Sequence, residues 1–229
     1  MNIIVTGASG GIGFELVKAL CFNTEHYVIA IVRNISNIDT EYRHHPRISW
    51  IEQDLNADSY DVVSQFLEKQ NIGIDILINN AGYLFKSEFK NIDVDKWENS
   101  FKINVISAAL ITQIALPYLL KSSTKHIVNI SSMSGVSGAV KFPNMTAYAA
   151  SKAALIGLTE ALAVELEPMR VTVNCLALGA VQTHMLQEAF PDYTGGILAS
   201  EAATFIADFA QNGYKYFNGK TIPVSKSTP

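Results

Sequence analysis

Cysteine is scarce in this chain: Cys21 and Cys175 are the only two in 229 residues. They form no C-x-x-C pair and no metal-ligand spacing, which excludes a disulfide scaffold and a zinc site. No metal is expected, and two buried, reduced thiols fit the cytoplasm. Clustered positive charge is also missing. The 17 Lys and Arg residues are scattered against 21 Asp and Glu, for a net charge of −4. That excludes the basic face a nucleic-acid partner needs. No long apolar run is free of polar residues. The most apolar stretch, Ile103 to Leu120, contains Asn104, Ser107, Thr112, Gln113 and Pro117, so it is not read as a membrane span. The first apolar run starts at Ile3, which leaves no room ahead of it for a signal peptide. Repeats, low-complexity segments and interdomain linkers are absent. With 48% hydrophobic residues, the chain is expected to form one domain over 1–229. A domain of that size buries roughly 70–75% of its unfolded surface.

What is present is alternation. Apolar runs at Ile3–Val5, Tyr27–Val32, Ile48–Ile51, Ile74–Ile78, His126–Ile130, Val171–Leu176 and Gly219–Val224 predict about seven strands. Helical spacing predicts helices over 14–20, 58–70, 94–120, 147–166 and 200–212. Residues 35–47 read as a short helix or loop, 133–146 as a loop and 184–199 as a linker. Strands alternating with helices give an α/β fold with a parallel sheet, and right-handed crossovers make it doubly wound. Ligands in such sheets bind at the carboxyl ends of the strands. Polar residues gather there: Thr6–Gly13, Arg33, Asp54, Asn79–Gly82, Ser131–Ser132 and Gly179–Thr183.

Two of these clusters suggest chemistry. Gly7, Gly11 and Gly13 fall between a predicted strand and a helix. Such a turn lets a pyrophosphate approach the backbone and the first N–H groups of the helix. The spacing is G-x-x-x-G-x-G rather than G-x-G-x-x-G, and a tight structural turn would read the same way. Tyr148 and Lys152 stand at i and i+4 near a helix start, so they share a face. An ammonium roughly 4–5 Å from the phenol, at an effective dielectric of about 20, favours phenolate by about 3–4 kcal/mol. That moves a tyrosine from about 10 towards neutral pH and makes it a usable acid or base. Taken alone, the pair is equally a solvent-facing Tyr and Lys.

In chain order, Thr6-Gly7-x-x-x-Gly11-Ile12-Gly13, Asn79-Asn80-Ala81-Gly82, Ser132 and Tyr148-x-x-x-Lys152 resemble the short-chain dehydrogenase/reductase family, in its compact single-domain branch. The resemblance runs from Asn2 to about Val224. It implies a Rossmann-type domain and a nicotinamide-dependent oxidoreductase acting on a small carbonyl or alcohol. Tyr148 would exchange a proton with the substrate oxygen. Lys152 would lower its pKa and bind the nicotinamide ribose, Ser132 would hydrogen-bond the substrate, and Asn104 would hold a proton-relay water. The cofactor would be held by Thr6, Gly7, Ser9, Gly10, Gly11, Ile12 and Gly13 in the turn. Arg33 and Asn34 would sit at the second strand's end, Asp54 and Leu55 near the adenine, and Asn80, Ala81 and Gly82 beside the adenosine half. Gly179, Val181 and Thr183 would lie at the nicotinamide.

No acid stands at Val32-Arg33-Asn34 to accept a ribose 2′-OH and repel a 2′-phosphate, and Arg33 can grip a phosphate. NADP(H) is therefore favoured, with NAD(H) still admissible. Ile103, Val105, Ile106, Leu110, Ile111, Ile114, Ala115 and Leu119 surround much of one helix, which predicts a homodimer or homotetramer. Two other functions stay open. One is a catalytically silent nucleotide-binding regulator or scaffold. The other is a sugar-nucleotide epimerase, which shares the Tyr and Lys but needs a large C-terminal substrate domain.

Three departures from the family pattern stand out. Leu178 occupies a position usually held by proline. Ser132 and Tyr148 are 16 positions apart, so Val136–Met145 should make an enlarged loop. The segment after Thr183 is short. One short helix near His184–Phe190 and a mobile turn at Gly195-Gly196 are expected. They would leave an open, apolar site walled by Tyr83, Leu84, Phe85, Phe142, Met185, Leu186, Phe190 and Tyr193.

Overall fold

The computed structural model describes residues 1–22 and 26–226. Its frame is a seven-stranded parallel sheet. The strands are β1 (Asn2–Thr6), β2 (Tyr27–Val32), β3 (Ile48–Glu52), β4 (Ile76–Asn79), β5 (His126–Ser132) and β6 (Thr172–Leu178), with β9 (Thr221–Val224) at one edge. Their spatial order is β3-β2-β1-β4-β5-β6-β9. The order reverses between β1 and β4, and that reversal opens the ligand crevice of such a sheet.

Each strand feeds both faces, because successive side chains alternate. Ile3, Val5, Val28, Ala30, Ile76, Ile78 and Val128 pack into one core with α1 (Gly11–Phe22) and α8 (Ala199–Asn212). Ile4, Ile29, Ile31, Leu77, Ile127 and Val173 pack into the other core with α3 (Asp61–Gln70), α5 (Ser107–Leu119) and α6 (Thr146–Glu165). Both cysteines are free and buried, as expected. A four-residue helix, α2 (Thr40–Arg43), lies in the segment expected to be a short helix or loop. By length and composition Val94–Leu119 and Thr146–Glu165 could cross a membrane. Both place residues in the sheet's second core, the position of ordinary core helices.

The long helix expected over 94–120 forms over Val94–Leu119, with one irregularity inside it: a π-helical turn, Lys102–Ile106, joins α4 (Val94–Phe101) to α5. One extra residue per turn re-aims the side chains at that point, and hydrophobic periodicity does not register it. The short helix expected near 184–190 forms, but the turn after it is tied down rather than free. β7 (Val181–Gln182) and β8 (Ile197–Leu198) pair in parallel around α7 (His184–Ala189), with Ile197 N donating to Ala180 O at 3.1 Å. Gly196, at φ +95°, makes the return to β8, and a Cβ there would press on Ala180 O at 2.6 Å. Each of these strands is only two residues long, too short to leave a period-2 signal.

Candidate functional site

The turn after β1 and the turn after β4 are built against each other. Thr6 is buried, and its Oγ1 accepts from Asn80 N and Ala81 N, both at 3.0 Å. Asn80 Nδ2 donates to Thr6 O at 3.0 Å and to Gly7 O at 3.3 Å. Gly7 has φ +66°, and a Cβ there would come within 2.7 Å of Ala81 Cα. A Cβ on Gly13 would overlap Gly7 O. Both positions therefore require glycine for close approach, and Gly7 for its conformation as well. Helix α1 starts at Gly11, so its unpaired N–H groups open into a cavity of about 700 Å³.

That cavity takes in most of the expected site. Gly7, Ser9, Gly10, Gly11, Ile12 and Gly13 line it, as do Arg33, Asp54, Leu55, Asn80, Ala81, Gly82, Ser132, Tyr148, Lys152, Gly179, Val181 and Thr183. Three expected residues do not. Thr6 acts behind the wall as the bolt between the two turns. Asn34 caps a 3₁₀ turn, accepting from Ser36 N at 2.8 Å and Ser36 Oγ at 2.6 Å. Asn104 is buried in the π turn. Its Oδ1 accepts from Tyr83 N at 2.7 Å, and its Nδ2 donates to Tyr83 O at 2.9 Å and Ser151 Oγ at 2.8 Å. These contacts engage both ends of the amide and fix the wall segment after β4.

At the end of β2, Arg33 is exposed and has no ion-pair partner among the described residues. An acid does stand close by, supplied by the neighbouring strand. Glu52 pairs in register with Val32, and its Oε2 accepts from Ile35 N at 2.9 Å. Sequence order hides this, because the two residues meet only through sheet pairing. Gln53, which no motif singles out, also lines the cavity, its Nε2 tied to Asp54 O and Ser59 O at 2.9 Å each.

The reactive cluster lies at the ends of β5 and α6. Tyr148 and Lys152 are both buried in the first turns of α6. Ser132 ends β5 and hydrogen-bonds the Tyr148 hydroxyl. Ser132 Oγ also accepts from Ser134 N at 3.2 Å and Ser134 Oγ at 2.9 Å, which brings in a cavity-lining serine that the motifs do not name. Lys152 Nζ donates to Ile130 O at 2.8 Å and lies 5.9 Å from the Tyr148 ring centroid. The 3₁₀ turn Met133–Gly135 seats this helix, since a Cβ on Gly135 would meet Lys152 C at 2.6 Å.

The charge balance differs from the sequence expectation. Burial pushes the Tyr148 phenol up, and the bond from Ser132 only partly offsets it. Burial lowers Lys152 to about 8, with Cys175 acting weakly in the other direction. In the protein alone, desolvation outweighs the expected Lys152 pull on Tyr148. The expectation treats the pair as exposed, whereas both groups lose water on folding.

On the far side, Gly179 N donates to Val224 O at 2.9 Å. Leu178 extends β6 by pairing with Ser132 and Val224. Thr183 Oγ1 caps α7 by accepting from Leu186 N at 3.3 Å, and Thr183 Cγ2 faces the open side of Gly11.

The short chain dehydrogenase family model matches residues 1–194. This chain belongs to the short-chain dehydrogenase/reductase family. It is 31% identical to the 3-oxoacyl-[acyl-carrier-protein] reductase FabG of Aquifex aeolicus over 80% of this chain and 74% of that protein. Among solved structures, a 4-hydroxyisoleucine dehydrogenase complexed with NADH superposes with a TM-score of 0.86 at 24% identity, covering 98% of this chain and 96% of that one. The L-sorbose reductase of Gluconobacter frateurii, complexed with NADPH and L-sorbose, gives 0.86 at 19% identity, covering 99% and 95%. At those identities the superpositions speak for the fold.

The remaining cavity wall is largely apolar, with Leu84, Met133, Met145, Met185 and Leu186 contributing, and His184 and Glu188 add polar groups to it. The enlarged loop reaches across this side of the cavity, where Phe142 and Phe190 touch edge to face with ring centroids 5.5 Å apart.

Proposed function

We propose that this chain is an NADP(H)-dependent oxidoreductase that interconverts a small carbonyl compound and its alcohol. The observation that carries the reading is the convergence of Ser132, Tyr148 and Lys152 with the Gly7–Gly13 turn on one cavity. The fit of a dinucleotide rests on the cradle itself. Gly7, Gly11 and Gly13 leave backbone where side chains would otherwise stand, and the N-terminus of α1 faces that space. Arg33, exposed at the rim and without an ion-pair partner among the described residues, suits a 2′-phosphate. The cofactor, when bound, supplies or accepts the hydride.

The chain's own residues handle the proton. Ser132 and Tyr148 hold the substrate oxygen, and Tyr148 gives its proton to that oxygen in reduction. A phenol pushed up by burial is a good proton reservoir, and it needs a nearby cation to stabilise phenolate after transfer. Lys152 is that cation, held in place by Ile130 O. The largely apolar wall favours an apolar carbonyl substituent, and the Glu188 carboxylate on that wall disfavours an anionic one. We also propose that the face formed by the π turn and α5 meets a second copy, because Ile106 in that turn stays 47% exposed.

The test is NADPH oxidation across a panel of aldehydes and ketones, with Tyr148→Phe as the control. Loss of at least about 100-fold in kcat with retained NADPH binding is expected. Turnover by Tyr148→Phe at near the wild-type rate would overturn the mechanism. NADPH binding without turnover of any carbonyl would favour the silent-regulator alternative.

A further inference from the structure

Three segments meet at the substrate end of the cavity, and one lysine ties them. Lys86 lies in the segment after β4. Its Nζ donates to Ala189 O, the last carbonyl of α7, at 2.7 Å, and stands 4.2 Å from the centroid of the Phe190 ring. Phe190 in turn meets Phe142 of the enlarged loop after β5, the planes inclined at 67°. The loop closes back on the first segment, since Ser87 N donates to Asn144 O at 3.0 Å. Asn144 turns there with φ 67°. Phe142 and Phe190 line the cavity, whereas Lys86 stands behind Phe190 and outside the lining.

We propose that Lys86, Phe142 and Phe190 form a clasp across the substrate mouth and set the width of the carbonyl compound admitted. The reasoning is mechanical. Edge-to-face rings attract by geometry as well as by area, and the Lys86 cation over the Phe190 ring adds to that hold. Phe190 is seated by α7, its N–H bonded to Leu186 O at 2.8 Å, whereas Phe142 lies outside regular structure, so the ring contact decides where the Phe142 ring stands and the Lys86 bond steadies the end of α7. A slim carbonyl substituent passes beneath the pair. A wide one must part the rings, breaking the Phe142–Phe190 contact and loosening the Lys86 bond. Lys86 is a positioning residue here and touches no reacting atom. The proposal rests on the carbonyl-reductase reading for what passes the clasp, but not for whether the clasp exists.

Two measurements separate those questions. Trypsin cleavage after Lys141, the exposed residue preceding Phe142, reads the clasp without any activity. Cleavage should quicken by about five-fold or more in Phe190→Ala and in Lys86→Met, since local opening sets susceptibility. Rates within about two-fold of wild type in both variants would overturn the clasp. Initial rates with NADPH then read what the clasp selects. The ratio of kcat/KM for 2-naphthaldehyde to that for propanal should rise about ten-fold or more in Phe142→Ala, and less in Lys86→Met. An unchanged ratio in both would overturn the size selection. If wild-type protein turns over neither aldehyde, the reductase reading and the size selection fall together, and the cleavage rates still decide the clasp.

Discussion

Replacing Lys152 with methionine should abolish activity and make the fold more stable. The lysine is buried beside Tyr148, with burial lowering it to about 8 from an ordinary 10.5. A tenfold change in proton affinity corresponds to about 1.4 kcal/mol, so the charged form costs about 3 kcal/mol in the fold. The sign follows from proton counts. Between pH 8 and 10.5 the unfolded chain holds the Lys152 proton more firmly than the native chain. Stability from this group is therefore complete above 10.5, declines as pH falls to 8, and stays low below that. Lys152→Met removes the charge while keeping an unbranched stem of similar length. It also leaves Ile130 O without its donor, a cost of about 1–2 kcal/mol. The net expectation is a gain of about 1–2 kcal/mol at pH 7, or roughly 2–8 °C in Tm for a domain of this size. Thermal melts of both proteins without added cofactor, repeated from pH 7 to just below pH 10, measure it. The gap should shrink and then reverse as wild-type Lys152 loses its proton. Cys21 also titrates late, but it is remote from the substitution and common to both proteins, so it cancels in the difference; Cys175, which Lys152 lowers, titrates later still in the variant, and melts kept below pH 10 exclude it. A variant less stable than wild type at pH 7, or a gap that does not change with pH, would refute the reasoning.

Cofactor choice should turn on Arg33 and Glu52. Arg33→Ala should weaken NADPH about ten-fold or more and leave NADH nearly unchanged, whereas Glu52→Gln should tighten NADPH a few-fold by removing a nearby like charge. Fluorescence titration of both cofactors checks this, and tighter NADH than NADPH binding by wild type would contradict it. Below neutrality, His126 should destabilise the protein. Burial lowers it to about 4, and its Nδ1–H donates to Ala210 O at 2.8 Å, so stability falls as pH drops from 6.5 towards 4 by about 3 kcal/mol. Urea titrations should find that loss reduced in His126→Gln, and equal slopes in the two proteins would refute it. Light scattering at micromolar concentration should give a multiple of 25.0 kDa, and a monomer would contradict the α5 contact.

Strand placement is legible because buried parallel strands read as short apolar runs with polar ends. The apolar run Tyr27–Val32 coincides with β2, and the other six runs match their strands within three residues. The clustering of polar residues at the carboxyl edge is legible too, because topology alone brings strand ends together. What stays hidden depends on contacts between distant residues. The β7–β8 pairing, the Glu52 carboxylate beside Ile35 and the Phe142–Phe190 contact each join segments that carry no mutual signal. The π turn is hidden for a different reason, since apolar residues surround that helix and one inserted residue does not disturb an all-round pattern. The acidity of Tyr148 is not legible, because sequence gives charge but not burial. A cation beside a phenol lowers its pKa in water, and desolvating the same pair raises the cost of both charges.

That cost explains the construction around the site. Lys152 and Tyr148 are costly to bury, so the fold holds them with bonds that do not touch substrate. Ser131 Oγ donates to Lys152 O at 2.9 Å, Lys152 Nζ donates to Ile130 O, and Gly135 lets the turn after β5 lie directly on the α6 backbone. Asn104 does the same for the opposite wall. It satisfies both backbone polar groups of Tyr83 and reaches Ser151 Oγ, one residue before Lys152. A Cβ built on Gly82 would lie 3.5 Å from Lys152 Nζ and 3.6 Å from Asn104 Oδ1, so the turn after β4 is bare where the lysine and the asparagine converge. Residues that never border the cavity, Thr6 and Asn104 above all, thus fix the distances between those that do. Preorganisation of this kind is what lets a desolvated, costly pair persist in a marginally stable domain.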